Sequence, residues 1–181
     1  MRKTIELNEQ QLSCLASPVR ADVFTTIRTL GNCAIGEIAR ALNRPADSLY
    51  YHVRALLNAG LVREVSQRPT RRKPEAVYAP AADDLRLPDL VAQPALAELS
   101  RKTVAAGLRQ TMRKLDEAAK RAQEQKKPEE FLVVIRALPK LSMEDARTFL
   151  EMLEKVQEFA REHECPNGVK LHWMSVVFPT E

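Results

Sequence analysis

Between residues 17 and 79 the spacing of apolar side chains switches once, from helical to alternating. This switch constrains the fold more than any other feature of the chain. Ser17-Pro18 offers an N-cap followed by proline at the first helical position, where a missing N–H costs nothing. Val19, Val23, Phe24, Ile27 and Leu30 then recur at helical intervals until Gly31. A short helix over 8–14 precedes this run, with Leu12 inward, and a second short helix over 34–42 follows it, with Ile35, Ile38, Ala39 and Leu42 on one face. Asn43-Arg44-Pro45 makes a tight turn into a third helix over 45–59, striped by Leu49, Val53, Leu56 and Leu57 and stopped at Asn58-Ala59-Gly60. Residues 61–65 alternate as a strand, 67–74 form a basic turn, and 75–79 return as the second strand of a hairpin. A short turn between two helices followed by a two-stranded wing is the order of a winged helix-turn-helix.

In that arrangement the third helix enters the major groove with its N-terminal part. With Leu49, Val53 and Leu56 inward, the outward row is Ala46, Asp47, Ser48, Tyr50, Tyr51 and Arg54. Arg54 can fork onto guanine or a phosphate, the hydroxyls of Ser48 and the tyrosines can bond phosphates or base edges, and Ala46 can touch a thymine methyl. Asp47 either accepts from cytosine N4 or merely suits the positive end of the helix. The hairpin tip carries Arg68, Arg71, Arg72 and Lys73, a set suited to phosphates beside the groove. Residues 1–81 hold 12 Lys and Arg against 7 Asp and Glu, whereas 82–181 hold 16 against 17. The basic excess therefore sits with the helices and the wing, as a polyanion partner requires.

The fold class expected is mainly α with small β (α+β). Residues 1–81 form the winged helix-turn-helix DNA-binding domain, 82–94 a linker, and 95–181 a long dimerisation helix with a strand–helix–strand domain. The long helix runs over about 95–125. Leu96, Leu99, Val104, Leu108, Met112 and Leu115 form its narrow seam, continued by Ala119 and Ala122; such a helix packs against the core, a partner chain or both, and these six are expected at the dimer interface. Residues 131–135 read as a strand covered on both faces. Ser142 and Asp145 open a helix to about His163, and a second strand spans 169–178.

Other functions find little support. Cys14, Cys33 and Cys165 form no CxxC or CxC pair, so neither a disulfide framework nor a zinc site is expected. His52 reads as a partly buried structural residue. Cys165 with His163 and His172 would bind a soft metal only if the fold gathers all three. Trp173, Phe149 and Phe159 read as core in preference to a ligand pocket. Glu144, Asp145 and Glu151 fit the polar face and first turn of a helix. No Gly-rich phosphate loop or GxSxG is present, and no enzyme activity or cofactor is expected. No apolar run approaches the ~20 residues of a membrane span, and the N-terminus lacks an apolar signal core, so a cytoplasmic protein with no membrane partner is expected.

The string Ser48–Val62, SLYYHVRALLNAGLV, preceded by LASPVRADVF and followed by RPTRRKPEAVYAP, resembles the ArsR-type winged helix-turn-helix transcriptional regulators over residues 12–80. The resemblance implies a homodimer that binds an operator near a promoter, commonly as a repressor. The CxC pair that metal sensors of this family often carry before the recognition helix is missing from residues 35–42, so metal sensing is not implied. The longer tail is similar to those of larger winged-helix regulators and implies dimerisation, with an unnamed small-molecule effector left open. A two-fold dimer calls for a palindromic operator. The rival reading is a protein–protein interaction module built on the winged helix and the coiled-coil-like helix, with no specific DNA site. The basic wing and polar outer helix face count against it.

Overall fold

The computed structural model describes residues 3–70, 73–125, 137, 139–163, 165, 169 and 171–178. These divide into two compact units, Met1–Leu115 and Asp116–Glu181.

The first unit begins with a strand, β1 (Thr4–Glu6), and a short helix, α1 (Glu9–Leu15). Asn8 and Gln11 form a reciprocal capping box on α1: Asn8 Oδ1 accepts from Gln11 N at 2.9 Å, and Gln11 Oε1 accepts from Asn8 N at 3.1 Å. The Arg20 guanidinium donates to the carbonyls of Cys14 and Ser13, satisfying the other end of the helix. α2 (Pro18–Leu30) opens on proline, although Ser17 makes no side-chain capping bond, and closes at Gly31. β2 (Cys33–Ala34) leads into α3 (Ile35–Leu42). Asn43, at φ 50°, turns the chain left-handed after α3, a conformation that asparagine tolerates better than most residues.

The third helix of the sequence reading is divided. Ala46–Ser48 form a 3-10 turn, and the α-helix proper, α4, spans Tyr50–Asn58. The tight opening is set by Ser48 N and Leu49 N donating to Pro45 O and Ala46 O, with Ser48 Oγ also bonded to Pro45 O at 2.7 Å. Gly60, at φ 67°, releases the chain into β3 (Val62–Arg68), which pairs antiparallel with β4 (Glu75–Pro80). A bulge falls between Glu64 and Ser66. β2 adds to the far side of β4, giving a three-stranded sheet in the order β2-β4-β3. One core holds this together: Leu12, Val23, Ile27, Ile38, Leu49, Val53, Leu56 and Leu61 are essentially inaccessible to solvent.

The stretch expected as a linker holds a further strand, β5 (Asp84–Arg86), which pairs in parallel with β1. Lys3 N donates to Asp83 Oδ2 at 2.8 Å, Leu7 N donates to Arg86 O at 2.8 Å, and Leu7 enters the core. A 3-10 turn, Pro94–Leu96, starts the long helix α5 (Ala97–Gln125). Thr103 Oγ1 donates to Leu12 O at 3.1 Å, Thr25 Oγ1 bonds Gln110 Oε1 at 3.2 Å, and Arg113 reaches Asp22 at 2.6 Å, so α5 is fastened along α1 and α2.

In the second unit, α6 (Met143–Glu162) starts where Ser142 Oγ accepts from Asp145 N at 3.0 Å. The expected strand over 131–135 lies outside the described residues. The expected strand over 169–178 is corrected: residues 169 and 171–178 have no regular secondary structure. Their β-branched content suits a ladder, but a strand needs a neighbour to hydrogen-bond, and none pairs with them among the described residues. Trp173, Phe149 and Phe159 are exposed here, so the expectation of core is corrected as well.

Candidate nucleic-acid interface

α4 shows two distinct faces. Leu49 and Leu56 are 0% exposed and Val53 is buried beside them, held by α2 and the wing sheet. On the opposite side Tyr50 and Tyr51 are exposed, Tyr51 at 71%, and Asp47, Ser48 and Arg54 lie open with them. Arg54 makes no ion pair among the described residues, so its guanidinium is available to a ligand. Ala46 departs from the outward row: it is half-buried and packs against the core, as its place three residues before Leu49 and seven before Val53 dictates.

His52 sits at the edge of the two faces, with the Tyr51 ring edge-on at 5.6 Å. Its Nδ1 is buried without a partner. Burial, and then the charges of Arg20 and Arg44, hold its pKa below the ordinary histidine value. A neutral imidazole is the form that fits beside two guanidinium groups.

At the wing, Lys73 is exposed, and the turn before it is closed by Thr70 Oγ1, which donates to Lys73 O at 2.7 Å. Arg71 and Arg72 lie outside the described residues. Arg68 is not an unengaged phosphate ligand: its guanidinium contacts Glu37 Oε2 at 3.3 Å. The same carboxylate oxygen accepts from Ala34 N at 2.8 Å. That backbone bond first, and then Arg68, holds the Glu37 carboxyl below its ordinary pKa. Sequence reading missed Glu37, since a glutamate in the first turn of a helix is unremarked and its partner lies 31 residues away.

The residues expected at a dimer seam separate into two rows. Leu96 and Leu99 pack against the core of their own chain, in line with buried Ser100, Ala106 and Gln110. Val104, Leu108, Met112 and Leu115 fall on another face, with Leu108 and Met112 exposed. At 100° per residue the two rows lie roughly 150° apart around α5. Of the expected seam, Leu96 and Leu99 are half-buried against the chain's own core.

The described residues contain no group of three or more His, Cys, Asp or Glu placed to hold a metal ion. Cys33 is buried, and desolvation, helped by Glu37, pushes its thiol up to about 11. No helix among the described residues is long and apolar enough to cross a membrane.

Comparison with known proteins agrees with this geometry over one segment. A family model described as a helix-turn-helix domain matches residues 15–65, which span α2, β2, α3, α4 and the start of the wing. The match supports a DNA-binding transcriptional regulator whose partner is double-stranded DNA. No curated protein matches the chain. One solved structure, "Structure of Disulfide formed AbfR", is similar at a TM-score of 0.32 and 13% identity, over 80% of this chain and 71% of that one. A likeness that loose carries no argument.

Proposed function

We propose that this chain is an ArsR-type winged helix-turn-helix regulator that binds a palindromic operator as a homodimer and represses transcription from the cytoplasm. The 1–81 segment is its DNA-binding domain. One observation carries the reading: α4 seals its apolar stripe into the core while Asp47, Ser48, Tyr50, Tyr51 and Arg54 stand open on the other side, beside a basic hairpin. Such a face is polar, aromatic and cationic, which suits base edges and phosphates better than an apolar partner. The α4 face reads the major groove, and the wing, with Lys73 at its tip, lies on the adjacent backbone.

The second copy is held by the outer row of α5. Val104, Leu108, Met112 and Leu115, continued by Ala119 and Ala122, fall three or four residues apart, and from Leu108 onward the steps alternate as in a coiled-coil seam. With Leu96 and Leu99 turned inward, this shorter row is the dimerisation surface. A small-molecule effector, if the protein takes one, belongs to the tail beyond this seam.

Selection from a random-duplex pool at near-physiological salt tests the proposal. Enrichment of one palindrome, with half-sites about 34 Å or one helical turn apart, is the expected result. Salt-sensitive binding with no enriched sequence would overturn it.

A further inference from the structure

The wing is attached to the helix-turn-helix by more than its strands. Arg68 and Glu75 face each other across β3 and β4 on the last paired rung before the tip. Glu75 Oε1 accepts from Gly36 N at 3.4 Å, and Glu37 Oε2 takes both Ala34 N and the Arg68 guanidinium. The start of α3 thus receives two carboxylates, one from each side of the joint, where the unpaired N–H groups and the helix dipole favour negative charge.

We infer that the Glu37–Arg68 pair is a strut that fixes the wing against α3, so that Arg68 positions the hairpin for DNA without itself contacting a phosphate. The inference rests on the DNA-binding reading for its consequence, but the strut itself is a property of the free protein. A two-stranded ribbon is weakly held by its own ladder and needs packing to stay in one place. Here that support reaches the end of the hairpin farthest from the core. Arg68 already faces an anion, and moving it onto a phosphate would leave the Glu37 carboxylate with only its backbone donor.

Charge arithmetic separates the strut from its rival. If Glu37 only dilutes the positive field, Glu37→Gln removes a repulsive charge and frees Arg68, and duplex binding tightens. If it is a strut, the same change loosens the wing and binding weakens. The glutamine carbonyl can still accept from Ala34 N, so α3 keeps its cap.

Two measurements decide it. Amide exchange on the free protein at the ladder-bonded N–H groups among Ser66, Gln67, Arg68, Glu75, Ala76 and Val77 should run about two- to fivefold faster in Glu37→Gln, the scale of one exposed ion pair, with α2 and α4 unchanged. Affinity for a mixed-sequence 30-base-pair duplex should fall about two- to fivefold in Glu37→Gln and in Arg68→Gln. It should fall no further in the double variant and should be largely retained in Arg68→Lys. Unchanged exchange overturns the strut. So does tighter binding by Glu37→Gln, or additive losses in the double variant. If the wild-type protein does not bind the duplex, the DNA-binding reading fails, and the exchange measurement still decides the strut.

Discussion

α4 and α6 carry apolar residues at similar helical spacing, and the two stripes end in opposite environments. In α4 the row Leu49, Val53, Leu56 is sealed by α2 and the wing sheet. In α6 the corresponding residues Phe149, Leu150 and Val156 are exposed, and Phe159 beside them is 62% exposed. Periodicity therefore identifies a face, while burial depends on what the rest of the chain brings to it. Within α5 the same lesson applies in reverse: its outer row is conspicuously apolar, yet the row that does the packing is built largely from Ser100, Thr103, Ala106 and Gln110.

The sharpest way to break the contrast is to cut a side chain from each stripe. Leu56→Ala removes a side chain with no solvent exposure and should cost about 2–5 kcal/mol in urea unfolding of the first unit. Cysteine labelling extends the comparison between units. At pH 8 Cys165, which is exposed, should react with a thiol reagent at least about 100-fold faster than buried Cys33, whose thiol is held near 11. Denaturant should abolish the difference. Arg54→Ala tests the open side of α4: affinity for the selected operator should drop by about 1–3 kcal/mol with selectivity relaxed at one base, while stability stays within about 0.5 kcal/mol. Arg113→Gln breaks the contact to Asp22 and should lower stability by roughly 0.2–1 kcal/mol, read as a shifted urea midpoint at unchanged slope. Leu150→Ala in α6 is the smallest, within about 0.5 kcal/mol in the same assay. A loss at Leu150 comparable to that at Leu56 would mean that α6 is covered in solution.

The helices and the hairpin were legible because their signals are local. Leu49, Val53 and Leu56 announce a face, Gly60 a stop, and the alternation after it a strand. Asn43 and Pro45 marked the turn between α3 and the third helix, although the 3-10 opening depends on bonds to Pro45 O that spacing does not reveal, and Ala46, in step with Leu49 and Val53, was legible as an inward residue. The features that escaped join residues far apart in the chain. β5 is three residues long in a proline- and aspartate-rich stretch, and its partner is the N-terminal strand. The inward row of α5 escaped for a different reason. Thr103 and Gln110 hold their neighbours by hydrogen bonds, so a count of apolar residues passes over them and assigns Leu96 and Leu99 to the only stripe it can see.

The pairing of β1 with β5 carries an entropic cost. The Lys3–Asp83 bond closes a loop of 80 residues. From an open chain that closure costs of order 4 kcal/mol in entropy, which the ladder and the bonds that flank it offset at about 1 kcal/mol each. Docking of the helices shortens the gap that the pair must bridge, and Leu7, which follows β1, joins their core. The pair also holds the short stretch of chain between the wing's return strand and α5. The short connection between the wing's return strand and α5 is thus tied to the strand that precedes α1, so a change that loosens residues 4–6 also loosens the approach to the long helix.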